Sequence, residues 1–479
     1  MRAVVVGSGP NGLAAALTLA QSGAQVTVLE AKDRLGGGTA SAELTVPGLI
    51  HDVCSGFHPL AIDNEFSRTA DLAAHGLRWR WPEVQYSHPL GAAGDGASVV
   101  RSLADTAQDL GVDERRWRQV FGPLVEDFPQ TSQDVLQPLA HLPHHPVELA
   151  RLGLRAAMPA NILASAFRTA RAKALVGGAA AHGFVAFGRP MSASVGTALA
   201  VAAHVNGWPV AEGGSGAIQR AITAALGERG AEILTGVHVT SLRELSVADV
   251  VMLDVPPSAA ITILGDHMPA RVRRSLRRYR HGPAVFKVDY AIDGTVPWRH
   301  VASRSAGTVH LGGTFAQIRH AENEVLRGRV AAEPFVLVGQ QFLADPSRSR
   351  GSLNPLYAYA HVPHGYTGDL TEVVTATIER YAPGFRDRIV AQISTSPLQM
   401  QQQNANYIGG DIIGGATTLQ QVAFRPRPAL DPYWLGYRNV FLCSSSTPPG
   451  AGAHGMCGFN AAQSALRRIG ASSADSRQK

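Results

Sequence analysis

Three glycines, Gly7, Gly9 and Gly12, stand between the apolar, β-branched run Ala3-Val4-Val5-Val6 and the helix-forming stretch Leu13 to Ser22. A strand that enters a Gly-x-Gly-x-x-Gly turn and leaves as a helix has few folds open to it. Gly7 permits the tight turn, Gly9 lets backbone approach a diphosphate closely, and Gly12 lets the helix pack against the strand. The turn also holds Pro10 and Asn11, and the helix N-terminus behind it supplies N–H groups and a positive dipole. Gly23 stops the helix and Gln25 to Leu29 reads as a second strand ending at Glu30, whose carboxylate stands where ribose hydroxyls would be held. The expectation is an α/β fold opening on a dinucleotide-binding βαβ unit.

A length of 479 residues implies two or three domains, and a hydrophobic share of 45% implies ordinary globular cores. The polar end, Ala471 to Lys479, is the exception. Three cysteines, Cys54, Cys443 and Cys457, make no disulfide framework and have no zinc spacing. His141-Leu-Pro-His144-His145 lacks carboxylate or cysteine support, so no metal site is expected. Glycines interrupt the apolar N-terminus, and neither a cleavage site nor a 20-residue apolar span follows, which points to a cytoplasmic protein. Lys and Arg number 43 against 37 Asp and Glu, and part of the excess lies in Arg271 to Arg280. Sparse aromatic interleaving there argues against nucleic acid and leaves a solvated helix face, or peripheral contact with the anionic inner face of a membrane.

Beyond Glu30 the chain reads Ala31-Lys-Asp-Arg-Leu-Gly36-Gly37-Gly38-Thr39. This resembles the long FAD signature of the glutathione-reductase-like flavoproteins, and the resemblance implies FAD in contact with Ala31, Gly37, Gly38 and Thr39. Those proteins often carry Arg after the glycine pair, where this chain has Gly38. No second Gly-x-Gly-x-x-Gly follows a strand, so a separate NAD(P) domain is not expected and electrons leave for oxygen or a quinone. Gly213 to Leu226 reads as a glycine turn plus helix, and Ala231 to Leu234, Val237 to Leu242 and Val250 to Pro257 as strands. The resemblance places the backbone of Val239 at the adenine. Near the C-terminus a strand around Asn439 to Cys443 enters a Ser/Pro/Gly loop and then a helix, Phe459 to Ile469, ending at Gly470. The turn at Gly455 and Met456 can bring N–H groups to the flavin pyrimidine, and Ser445 and Ser446 can meet the ribityl chain and phosphates.

These motifs, with Gly48-Leu-Ile-His-Asp52-Val-Cys-Ser-Gly56-Phe-His58-Pro-Leu60, Gly207 to Gly216 and Asn404 to Gly415, resemble the phytoene desaturase family in its broad sense. That family takes in carotenoid desaturases and isomerases, retinol saturases and bacterial relatives. Ser444-Ser-Ser-Thr-Pro-Pro-Gly450 departs from the Gly-Ala-Gly-Thr-His-Pro-Gly of carotenoid desaturases. The resemblance implies a glutathione-reductase-like, discontinuous FAD domain in residues 1–85, 205–280 and 400–479. It implies a substrate domain in 86–204 and 281–399, a mixed sheet with a helical cap over a lipophilic tunnel. The implied chemistry is hydride transfer between a lipophilic unsaturated small molecule and flavin N5, desaturation first, with saturation or isomerisation as neighbours.

Gly282-Pro-Ala-Val-Phe-Lys287, with Pro297-Trp298 beyond, looks like the monoamine oxidase strand whose lysine bonds through a water to N5. A mid-strand ammonium needs a partner if it is buried. The amine-oxidase reading keeps Lys287 and FAD and adds a substrate nitrogen, which an aromatic cage would favour. His58 and His454 are candidates to line the cleft, Tyr407 a further one. The same fold also serves Rab GDP-dissociation inhibitors, which bind lipid without redox work and lack a working FAD site.

Overall fold

The run around Ala3 to Val6 becomes the central strand of a five-stranded parallel sheet in the computed structural model, which describes residues 1–138 and 141–477. The strand order is 440–442, 250–253, 2–6, 25–29 and 232–234, every neighbouring pair parallel. A parallel sheet is covered on both faces, which is why its inner strands read as unbroken apolar runs rather than alternating ones. The first helix, Pro10–Gln21, is buried from Asn11 to Ala20. It lies against the last helix, Met456–Arg477, where Gly458 meets the Asn11 carbonyl so closely that any side chain would collide with it.

Two expectations are corrected. Val237 to Leu242 forms no strand: Val237 N bonds the Glu30 carbonyl at 2.8 Å, the chain then leaves the sheet edge, and the Val239 side chain anchors it in the core beside Val4 and Leu29. The last helix does not end at Gly470 but continues to Arg477, since one glycine costs a helix only about 1 kcal/mol. Residues 478 and 479 of the polar end lie outside the described residues.

The second sheet is mixed, with strands in the order 389–395, 284–293, 353–362, 336–339, 306–311, 84–89 and 96–99. Alternation along its two ten-residue strands sorts the side chains into two layers. Phe286, Val288, Tyr290, Ala358 and Ala360 form one core with the helix Thr371–Tyr381. Lys287, Asp289, Tyr357, Tyr359 and His361 point to the opposite face, toward the first domain and a helical layer. That layer includes Glu114–Val135, Pro146–Ala156, Ala170–Ala181 and Ser194–Val205, packed around Trp117 and Phe121. The basic stretch includes the helix Ala270–Arg277, which buries Val272 and Leu276 and exposes Arg271, Arg274 and Arg277.

Candidate active site

The glycine turn and the ends of three strands form a cradle. Gly7 has a φ of +98°, a left-handed backbone that glycine adopts without strain. The Glu30 carboxylate accepts from Ser8 N at 2.9 Å, Ser8 Oγ at 2.6 Å and Lys32 N at 2.9 Å, so it is fixed at the end of its strand with Ala31 exposed beside it. Gly36 (φ +104°) and Gly37 (φ +51°) make a second turn that lies on the first, and a Cβ on Gly37 would stand 3.0 Å from Gly9 Cα. Thr39 Oγ closes this turn on the Gly36 carbonyl at 2.8 Å. Where the resemblance leads one to expect Arg, a side chain on Gly38 would strike the Tyr407 hydroxyl, which lies near Cys54 and Asn404.

Asp254, at the end of the strand Val250–Leu253, was not among the expected site residues. Gly12 N donates to its Oδ2 at 2.9 Å, and a Cβ on Gly9 would stand 2.5 Å from the same oxygen. Burial pushes this carboxyl up to about 7; the Gly12 and Gly9 amides oppose the rise and the Glu30 charge adds to it. Pro10 has no N–H to offer, and Asn11 Oδ1 is buried without a hydrogen-bond partner in the first turn of the helix.

The C-terminal loop closes the far side. Ser444 Oγ donates to the Val255 carbonyl at 2.8 Å and pairs with Ser446 Oγ at 2.7 Å, while the Ser445 carbonyl accepts from Arg425 at 3.2 Å. Gly455 (φ +74°) turns the chain into the last helix, and Met456 N donates to His454 Nδ1 at 3.0 Å. His454 therefore caps this helix, and burial lowers its pKa to about 4. Burial likewise lowers His58 to about 4, and its two ring nitrogens meet Ser215 Oγ at 3.0 Å and Ser55 Oγ at 3.3 Å. Both histidines are neutral near pH 7 and fastened to the protein.

Lys287 is buried, so it does not snorkel to solvent. Its Nζ lies 2.5 Å from the Asp289 carboxylate and 3.1 Å from the Asp52 carbonyl, over the Tyr357 ring at 5.3 Å. Asp289 is the partner that a buried ammonium requires. Behind it, Arg348 bridges Asp52 and Asp345. Burial raises the Asp52 carboxyl, but the Arg348 charge and the Ser215 amide outweigh that and hold it below the usual carboxylate range. From Lys287 a series of rings runs along the strand Leu353–Val362. Tyr357 and Tyr359 are 6.2 Å apart at 16°, Tyr359 and His361 5.9 Å at 14°, and Phe184 stacks on His361 at 4.0 Å. Val285, Met400, Tyr407 and Ile412 pack with Phe184 and Tyr359 in one apolar cluster.

The His141 to His145 segment does have carboxylate support. Asp134 accepts from His141 and His144 ring nitrogens at 3.0 and 3.1 Å and from two backbone amides. Among the described residues no group of three or more His, Cys, Asp or Glu is arranged to hold a metal ion. The same residues include no helix long and apolar enough to cross a membrane.

A doubled glycine turn, a carboxylate fixed at the end of the second strand, an orphaned Asn11 oxygen and two helix N-termini fit an adenine dinucleotide. Comparison with known proteins agrees. A family model for an NAD(P)-binding Rossmann-like domain matches residues 5–71. The rat pyridine nucleotide-disulfide oxidoreductase domain-containing protein 2 is 24% identical, the alignment covering 98% of this chain and 93% of that protein. The phytoene dehydrogenase of Streptomyces griseus is 26% identical over 94% of this chain and 91% of its own length. Among solved structures, an oxidoreductase from Methanosarcina mazei superposes with a TM-score of 0.63 at 12% identity, covering 98% of this chain and 100% of that one. Cyclohexylamine oxidase from Brevibacterium oxydans gives 0.57 at 16%, covering 98% of each chain. The fatty acid isomerase of P. acnes gives 0.57 at 14%, covering 97% of this chain and 98% of the other. The chain thus shares with these oxidoreductase structures an α/β fold built on a Rossmann-like dinucleotide-binding domain.

Proposed function

We propose that this chain is an FAD-dependent oxidoreductase that exchanges hydride with a largely apolar, unsaturated substrate, desaturation being the first choice. The observation that carries this reading is adjacency: Tyr407, whose hydroxyl faces Gly38 of the second glycine turn, packs with Tyr359 of the ring-lined strand Leu353–Val362, and on the neighbouring strand Lys287, with its Asp289 partner, reaches the Asp52 carbonyl. Glu30 would hold the ribose, the amides around Gly9 and Asn11 the diphosphate, and the Met456 turn the flavin end. Bound there, FAD would supply a two-electron acceptor at N5. Lys287, paired with Asp289, keeps a fixed charge and a proton donor inside a water-poor wall, while Tyr359, Phe184 and Met400 offer surface for an apolar chain. The S. griseus relative and the P. acnes isomerase bear names that suit such a substrate.

The near-parallel Tyr357 and Tyr359 rings support a second reading, an amine substrate, as the name of the Brevibacterium neighbour would suit. Anaerobic titration of the purified, flavin-loaded protein separates the two. Bleaching of the flavin spectrum by isoprenoid or unsaturated fatty substrates is expected; bleaching by amines alone would overturn the first reading, and a protein that stays colourless after reconstitution with FAD would overturn both. Turnover to a double-bond isomer with no net bleaching would move the assignment to an isomerase. The exposed arginines of Ala270–Arg277 suit peripheral contact with anionic lipid. Flotation of the protein with anionic vesicles but not neutral ones tests that contact, and a protein left in solution refutes it.

A further inference from the structure

We propose that Asp254 is a cofactor-binding residue that meets the FAD diphosphate as an uncharged carboxylic acid, so that one proton is taken up with each FAD bound once Asp254 has ionised. The inference rests on the FAD reading above. Its ground is position: Oδ2 is 2.9 Å from Gly12 N and would lie 2.5 Å from a Cβ on Gly9, so the carboxyl sits among the amides that a diphosphate would use. Two phosphate charges and a carboxylate cannot share one cradle without a compensating cation. None faces Asp254. The ionisable groups acting with it are Glu30 from the neighbouring strand, Tyr407 from the 404–407 segment, Cys443 from the strand Val440–Leu442 and Cys457 from the last helix. Asn406, which donates to the Asp254 carbonyl at 3.1 Å, is neutral. A proton on the carboxyl removes the repulsion and leaves a donor where an acceptor stood.

The burial-raised pKa of about 7 places the transition within a convenient range. Below it the acid is already neutral and FAD binding is independent of pH. Above it each bound FAD takes up a proton, and the Kd rises about tenfold per pH unit. His454 and His58, lowered to about 4, do not titrate in this window.

The test is a titration of the apoprotein with FAD from pH 6 to 9, followed by flavin fluorescence, for the natural chain and for Asp254→Asn. The natural chain should lose about tenfold in affinity per unit above pH 7, and Asp254→Asn should keep nearly its pH 6 affinity throughout. A flat profile in the natural chain, or an equal slope in the variant, would overturn the inference while leaving the FAD reading intact. Failure of FAD to bind the natural chain at pH 6 would overturn both. Proton uptake by the natural chain, measured by calorimetry in buffers of different ionisation enthalpy, needs no variant: close to one proton at pH 8 and none at pH 6 is expected, and none at pH 8 refutes it.

Discussion

Replacing Gly38 with alanine probes the cradle at the position where this chain departs from the flavoprotein pattern. The backbone there is not in the left-handed region, so alanine adds no φ strain. Its methyl would land on the Tyr407 hydroxyl, whereas the Tyr407 ring carbon Cζ is 3.5 Å away, an ordinary contact. The hydroxyl alone makes the clash. Overpacking of this kind costs about 1–3 kcal/mol. Tyr407→Phe removes the hydroxyl and its polar interaction with Cys54 and Asn404, at about 0.5–1.5 kcal/mol. In the double variant the methyl has room, so its loss should match that of Tyr407→Phe alone, a coupling equal to the Gly38→Ala cost of about 1–3 kcal/mol. Thermal unfolding of the four apoproteins reads this as about 1–2 °C per kcal/mol. Strictly additive losses would refute the claim that the Tyr407 hydroxyl excludes a side chain at position 38.

Asp289→Asn leaves the Lys287 ammonium buried without a counter-charge and should cost about 3–5 kcal/mol by urea unfolding; adding Lys287→Met should recover most of it. Glu30→Gln keeps the shape but weakens charge-assisted bonds to ribose, so FAD affinity should fall about tenfold in a fluorescence titration. Because Asp254 is raised when folded, its contribution to apoprotein stability is fully present below pH 4 and is lost as pH rises to about 7. The loss amounts to roughly 4 kcal/mol, and Asp254→Asn should flatten that part of the stability profile. His58→Gln, which can keep a bond to Ser215, should leave turnover within a few-fold of the natural chain, since both ring nitrogens serve the fold; loss of turnover with FAD affinity unchanged would restore His58 as a catalytic candidate.

The first βαβ unit was legible because its signals are local: β-branched run, glycine spacing and helix lie within thirty residues, and propensity and turn chemistry agree. Glycine at position 38 was visible as a departure, but its cause was not, since Tyr407 reaches it from 369 positions away. Asp254 followed an apolar run and read as a strand end; only the parallel pairing of 250–253 with 2–6 brings it under Gly9. Val237 to Leu242 shows the opposite error. Its alternating residues suit a strand, but the sheet offers them one hydrogen bond at the Glu30 carbonyl and no continuing edge. The partner of Lys287 stood two positions away in the sequence, and the i, i+2 rule of a strand would have found it. The Tyr357, Tyr359 and His361 alternation on the strand Leu353–Val362 is the same kind of signal.

The order of strands in the parallel sheet also sets a timetable. The strand 250–253 is covered on one side by residues 2–6, but its other edge is filled only by residues 440–442. At about 5–20 residues per second, the roughly 190 residues between them take on the order of 10–40 s to synthesise. Through that interval the nascent chain carries an apolar strand with an open edge, the kind of surface on which chains mispair and which holdases cover. The first helix waits as well, since Gly458 must arrive before the last helix can lie on Asn11. The first half of the cofactor cradle is therefore made early and completed last, and a chain released before residue 442 would have the glycine turn without a finished sheet behind it.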